Sequence, residues 1–443
     1  MAIQEEQNGT SPASLTDLLE FVRLNSPYYA KSWKACWAEK DQTVSLSDLP
    51  IVDHESFWEA NTCLNSKVIT SEQKDGIVFK TGGTTAHPKV SFYSQKEFHS
   101  ISTQLAESLA RCGVGRGDVV ANLFYAGDLY GSFLLHILSV YHLPGGAIQL
   151  PVAGHVSVES MERQIAEFEA AVLLGTVTTM SQIAERILLL GAGRTHPHVR
   201  LLLFSGEAFY DDQAALLRAA FPNATVRSLV YGSMDSGVIG LPPAAEHYTG
   251  DPRLHQVNDP GIIVEIVNGD GEVTSVPGEE GSLVVTNLER RLMPIVRYPS
   301  GDRAAWVDPS LGLFRVLDRD RTAIRLGPVS IDFVHLRKVV STVLGDRPVG
   351  RLQAVVTRED RKDLLTLNIA YAPAAAAEEE DEEARLRAEL EEELGTVRPM
   401  FREHVDKKLI NPLQVRFLST QELAVNPRTG KIVEVLDLRS TTV

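Results

Sequence analysis

Three cysteines in 443 residues, Cys36, Cys63 and Cys112, are too few and too widely spaced for a disulfide framework or a zinc-binding pattern. No apolar run is long enough to cross a bilayer. An excess of positive charge is missing as well: 43 Lys and Arg stand against 58 Asp and Glu, for a net charge of −15. That balance gives no non-specific attraction to nucleic acid or anionic lipid, so neither is expected as a partner. Any phosphate site must be built locally. The stretch MAIQEEQNGTSPAS lacks the basic-then-apolar pattern of a signal peptide, which with the sparse cysteine predicts a reducing, cytoplasmic location. What is present is ordinary for a globular protein, 44% hydrophobic and 23% charged residues, with length enough for more than one domain.

Between residues 119 and 232 apolar runs alternate with amphipathic ones. VVANLF (119–124), GGAIQL (145–150), AVLLGT (171–176), VRLLLFSG (199–206) and TVRSLVYG (225–232) read as strands. GSFLLHILSVYHL (131–143), SMERQIAEFEA (160–170), MSQIAERILLL (180–190) and DDQAALLRAAF (211–221) read as helices. This alternation predicts parallel β-α units with ligands at the carboxyl ends of the strands, where FSGEAF and YGSMDSG fall. From 262 to 316, short strands broken by NGDGEV and PGEEG turns predict an antiparallel segment. After 318 the pattern changes again. RLQAVVTRED and DLLTLNIAYAP are expected to pair around Arg361, and residues 374–394 to form an acidic helix with Leu386, Leu390 and Leu394 on its inner face. LQVRFLST adds a strand. The expected class is α/β. A large N-terminal domain (1–317) would hold parallel β-α layers plus a small β subdomain, and a small α+β C-terminal domain (318–443) would follow. There is no internal repeat.

The stretch FKTGGTTAHPKVSF (79–92) places Thr81, Gly82, Gly83, Thr84, Thr85 and Lys89 between two strands. Glycines let the backbone approach a ligand, and hydroxyls, bare N–H groups and a cation suit a phosphate. No Gly-Lys-Ser/Thr ends the loop, so it is not a Walker A motif. Alone, it reads first as a Gly/Thr-rich hairpin turn. It has company: SGEAF (205–209), YGSMDSG (231–237), RYPSGDRAAW (297–306) and NPRTGKIVEVLD (426–437). The order and spacing of these segments resemble the adenylate-forming superfamily of acyl- and aryl-CoA ligases and adenylation domains. The loop is similar to that family's SGTTGxPK, YGSMD to YGxTE, RYPSGD to RYRTGD, and NPRTGK to PRTxxGK. The length and NSPYYA (25–30) resemble its phenylacetate–CoA ligase-like branch.

The resemblance implies a two-step reaction. A carboxylate attacks the α-phosphorus of ATP to give an acyl-AMP, and a thiol then displaces AMP. ATP, Mg²⁺ and coenzyme A are the implied co-substrates and cofactor. The implied acid is a small aromatic one, anthranilate or a benzoate, of the kind activated in secondary metabolism. Thr81, Gly82, Gly83, Thr84 and Thr85 would cradle the phosphates. Asp235, at the position of the family's metal-binding glutamate, would hold Mg²⁺. Tyr231 would stack near adenine, with Gly206, Glu207 and Ala208 along its other face and Gly232 and Ser233 beside it. Asp302 would accept from both ribose hydroxyls, although a turn Asp after Gly301 is the competing account. Arg319 matches the family's arginine near the hinge of a mobile C-terminal domain. Lys431, at a loop tip, would reach the carboxylate and the α-phosphate. Phe124, Tyr125, Leu129 and Tyr130 would line a flat slot for an aryl acid, unless they are core residues.

Some positions depart from the family pattern. Met234 replaces a threonine, Arg321 stands where an acidic residue is usual, and Gly327-Pro328 replaces Arg-Gly beside the thiol tunnel. His247 and His255 have no cysteine nearby, so no zinc site is expected. Two other readings stand beside the ligase. One is a stand-alone adenylation enzyme that loads an acyl carrier protein or supplies a downstream acyltransferase. The other is an inactive nucleotide-binding relative.

Overall fold

The computed structural model describes residues 14–38, 44–80, 89–191, 194–207, 209, 211–319, 323–326, 329–345, 349–360, 362–371, 379–427 and 429–439. Thr81, Gly82, Gly83, Thr84 and Thr85 lie outside the described residues, as do Ala208, Arg321, Gly327 and Pro328. The chain divides into two compact units. One comprises residues 1–111, 230–249 and 254–317, and the other 112–229, 250–253 and 318–443.

In the second unit, Ile148–Leu150, Val119–Asn122, Val172–Gly175, Leu201–Phe204 and Thr225–Ser228 form a five-stranded sheet in that spatial order. Every pairing in it is parallel. All four residues of Val172–Gly175 and of Leu201–Phe204 are buried, as strands covered on both faces require. Two of the helices begin on side-chain caps: Ser157 accepts from the N–H of Ser160 (3.2 Å) and Thr176 from that of Thr179 (3.1 Å). The run 225–232, expected as one strand, is two. The N–H of Leu229 donates to Phe204 O (2.7 Å) as the chain leaves the parallel sheet. Tyr231–Ser233 then pairs antiparallel with Gly237–Leu241 in the other unit, because Gly237 takes a positive φ (+80°) that turns the chain back.

The same unit contains a second sheet, with Gln414–Leu418, Lys362–Tyr371, Val349–Glu359 and Val435–Asp437 side by side. The 349–359 and 362–371 strands form the hairpin expected around Arg361. The acidic helix spans Glu379–Val397. Its Leu386, Leu390 and Leu394 are 1%, 0% and 0% exposed, in a core shared with Phe333, Leu336, Leu352 and Leu367.

The first unit is built on an eight-stranded sheet that ends in Tyr231–Ser233 and includes Ile295–Asp308. Its paired strands run antiparallel. N-terminal aromatics pack against that long strand. The hydroxyl of Tyr29 donates to Pro294 O (3.0 Å) and accepts from the N–H of Val296 (3.2 Å). Arg297, with φ +45°, is buried; it grips Glu265 through two bonds (3.1 and 2.9 Å) and donates to Leu49 O. The arginine of RYPSGD is therefore a structural clamp, which fixes the strand that carries Asp302. Among the described residues no helix is long and apolar enough to cross a membrane.

Leu390→Ala is expected to cost about 2–5 kcal/mol, the range for emptying a closed aliphatic site. Urea unfolding would read this, and a loss below about 1 kcal/mol would mean the helix is not anchored by that stripe.

Candidate active site

Each unit carries part of the motif set. In the first, the 231–233 strand, the 234–236 turn and the 295–308 strand bring Tyr231, Asp235 and Asp302 onto one framework. The Tyr231 hydroxyl donates to Asp302 Oδ2 (2.7 Å), and its ring lies against His255 and Phe314. Gly301 (φ +83°) makes the bend that presents Asp302, whose own N–H is held by Ser300 Oγ (3.2 Å). The turn and the motif thus describe the same residue. Ser233 Oγ caps the turn by accepting from the N–H of Ser236 (3.0 Å). Gly232 is required there, because a Cβ would run into the carbonyl of Gly237.

Asp235 is 5% exposed. Its Oδ1 accepts from Ser91 Oγ (3.0 Å) and its Oδ2 from the Tyr298 hydroxyl (3.4 Å). Burial raises its pKa, with the Lys89 charge pulling the other way. Lys89 Nζ lies 2.7 Å from His54 Nε2 and 5.1 Å from the centre of the Trp58 ring. The lysine that ends the phosphate-type loop is therefore anchored within its own unit.

In the second unit the chain turns at Gly206 (φ +76°), just beyond Leu201–Phe204. A Cβ on Gly206 would lie 2.7 Å from Lys431 Nζ and 3.0 Å from its Cε. The NPRTGK turn that presents this lysine is closed by its own backbone: the N–H groups of Thr429 and Gly430 donate to Asn426 O, and that of Asn426 to Lys431 O. Lys431 is half-buried, and among the described residues its ammonium has no hydrogen-bond or ion-pair partner. Burial alone does not account for a lysine held this way.

The next residue, Glu207, accepts from Thr178 N (2.8 Å) and Thr178 Oγ1 (2.7 Å) at the start of helix Val177–Leu189. It also accepts from Arg351 Nη2 (2.8 Å). Its carboxylate thus faces protein donors. Arg351, Thr178 and the contact between Thr420 and Glu185 were not identified from sequence. Arg351 sits in a strand whose Leu352, Ala354 and Val356 already account for one buried face. Nothing in the pattern reveals that its other face is covered too.

The four aromatic and apolar candidates separate. Tyr125 packs between Gly154 and Gly430, where a Cβ at either glycine would enter its ring, and it meets His155 edge-on. Burial raises its hydroxyl pKa, and Thr179 is its side-chain partner. It lines an open cleft of about 680 Å³ with His155, Met161, Gln182, Val425 and Pro427. Phe124 is 1% exposed and stacks on His136 (4.2 Å), so it serves the core. That imidazole is buried and its pKa falls to about 3. Leu129 is 47% exposed with φ +61°, and Tyr130 is half-buried beside it. Arg319 closes the strand Leu313–Arg319.

No family model matches the chain. A phenylacetate–coenzyme A ligase of Thermus thermophilus is 24% identical over 457 residues, covering 99% of this chain and 96% of that enzyme. An indoleacetate–lysine synthetase of Pseudomonas savastanoi is 23% identical, covering 88% of this chain and 91% of its own. Among solved structures, a 2-hydroxyisobutyryl-CoA ligase in its postadenylation state with an acyl-AMP superposes with a TM-score of 0.75 at 18% identity, over 96% of this chain and 88% of that one. Along nearly its whole length the chain is thus similar to a phenylacetate–coenzyme A ligase, and it shares the fold of an acyl-CoA ligase.

Gly430 and Gly113 both have positive φ, +65° and +80°, but only Gly430 faces a side chain. Gly430→Ala is expected to lose about 1–3 kcal/mol more than Gly113→Ala, because crowding of the Tyr125 ring adds to backbone strain. Equal losses in urea unfolding would mean the ring gives way freely.

Proposed function

We propose that this chain is an AMP-forming acid–thiol ligase. It would activate a small aromatic carboxylic acid with ATP and pass the acyl group to coenzyme A. The observation that carries the reading is the Lys431 ammonium, set without a described partner at Gly206, just beyond the carboxyl end of the buried strand Leu201–Phe204. That is where parallel β-α units bind ligands.

In the first half-reaction an acid oxygen bonds to the α-phosphorus and pyrophosphate leaves. Negative charge grows on the α-phosphoryl oxygens, and a fixed ammonium lowers that barrier. Lys431 would supply it. Asp302 would take the ribose hydroxyls, and its bond from Tyr231 holds the carboxylate in one orientation. A magnesium ion suits Asp235, a hard oxygen donor whose two oxygens each accept one hydrogen bond and keep further lone pairs. Magnesium there would offset triphosphate charge. The threonine–glycine loop would bind the phosphates through Thr81, Gly82, Gly83, Thr84 and Thr85. In the second half-reaction the thiol sulfur bonds to the acyl carbon and AMP departs. For this step residues 318–443 would move as the mobile domain and withdraw Lys431.

The acid is narrowed by chemistry only. The two relatives are named for arylacetates, whereas the sequence resemblance suggests anthranilate or a benzoate. Tyr125 is the aromatic of the four expected pocket residues that lines a cleft. The test is AMP and thioester formation with ATP, Mg²⁺ and coenzyme A across benzoate, anthranilate, phenylacetate and indoleacetate. Acid-dependent AMP with aryl-CoA is expected. Pyrophosphate release without consumption of coenzyme A would move the acceptor to a carrier protein, and no nucleotide binding at all would sink the reading.

Lys431→Ala is expected to lower acid-dependent pyrophosphate exchange by about 10²–10³-fold, the usual effect of losing one transition-state donor. Thioester formation from supplied acyl-AMP should stay near its starting rate. Equal loss in both assays would refute the role given to this lysine.

A further inference from the structure

Within the second unit, residues 318–443 are fastened to the parallel β-α layer at charged and polar points as well as by packing. Arg351 Nη2 meets Glu207 Oε2 at 2.8 Å, with side chains only 3% and 9% exposed. No partner for Arg351 Nε is present among the described residues, so this guanidinium is committed to Glu207. Glu207 is in turn fixed by Thr178 N and Oγ1 and follows directly on Gly206, against which Lys431 lies. A second fastening lies on the same helix, Val177–Leu189. Thr420, fully buried, donates its hydroxyl and its N–H to Glu185. Strand Val349–Glu359 and the 420–422 turn approach Lys431 from different parts of the C-terminal fold. The N–H groups of Ala354 and Val433 and the Gln353 side chain connect them to the stretch carrying the lysine.

We infer that Arg351 is the positioning residue that holds the Lys431 turn at the strand end, with Thr420 as its second support. Acid activation needs both contacts made, and thiol transfer needs them broken. The geometry explains why. Both acceptors sit on the β-α layer, Glu207 at the start of one helix and Glu185 on the same helix, and both donors sit on the C-terminal fold. Together they fix the fold's angle as well as its distance. A lone buried carboxylate at 207 would still keep its Thr178 donors, so the layer itself survives undocking. The arginine, by contrast, moves from a buried partner to water. The consequence for catalysis rests on the ligase reading, but the docking claim does not.

The test uses the full chain with Arg351→Met, Arg351→Lys and Thr420→Val, and three readouts. The first is the rate at which acetic anhydride modifies Lys431, followed by mass spectrometry without substrate and normalised to exposed Lys407. The second is acid-dependent pyrophosphate exchange. The third is thioester formation from synthetic acyl-AMP and coenzyme A. Arg351→Met should raise Lys431 modification by about tenfold and lower exchange at least as much, as losing one buried partner shifts a local opening equilibrium. The thioester step should stay within about threefold, because it uses the undocked form. Arg351→Lys should recover part of the exchange rate. Thr420→Val keeps the side-chain shape, and should move the same readouts in the same direction by a smaller factor. Lys431 modification unchanged in both Arg351→Met and Thr420→Val would overturn the docking claim. Equal loss of exchange and thioester formation would overturn the positioning role and leave Arg351 as a stability residue. If the wild-type chain activates none of the acids, the ligase reading falls, and the modification rates still decide the docking.

Discussion

A carboxylate removed from water has to be matched by donors, and Glu207 is matched from three: the Thr178 N–H, the Thr178 hydroxyl and the Arg351 guanidinium. Two of these belong to a helix start, where unsatisfied N–H groups favour an anion. The third comes from a strand about 140 residues later in sequence. One acidic side chain beside a left-handed glycine therefore decides where a distant segment docks, and with it where the Lys431 turn lies. The Tyr125 ring, seated between Gly154 and Gly430, adds a steric check on the same placement.

The first unit solves similar problems with different donors. Asp235 is buried among hydroxyls that orient it; burial raises its pKa, and the Lys89 charge acts in the opposite direction. Arg297 is buried against Glu265 in a two-bond grip, at the cost of a strained backbone angle. Two of the recognisable sequence motifs thus combine residues suited to ligand contact with residues that only hold the loop. RYPSGD contains both kinds within six positions.

Much of the fold was legible because burial writes a period into the chain. The parallel strands, the 349–371 hairpin and the Leu386–Leu390–Leu394 stripe all follow from which positions avoid water. The run 225–232 misled because two strands of similar composition meet end to end, and only the long-range partners differ. Of the candidate site, Lys431 and Asp302 were legible as polar residues held in turns. Phe124 was not, since an aromatic at a strand end looks the same whether it faces a ligand or stacks on a buried imidazole such as His136. Arg351 was invisible for a related reason. A charged residue in an alternating strand normally marks the solvent face, and only the docked layer makes that face an interior.

The seating of Tyr125 between two glycines has a bearing on how such proteins can be recombined. A C-terminal segment transplanted from a relative would have to bring a glycine to position 430, an arginine to 351 and a hydroxyl to 420 together. Supplying the lysine alone would leave it on a lever of the wrong shape. The unit of exchange in this chain is therefore the matched pair of surfaces, and a crossover point chosen at residue 318 for convenience would cut between complementary halves.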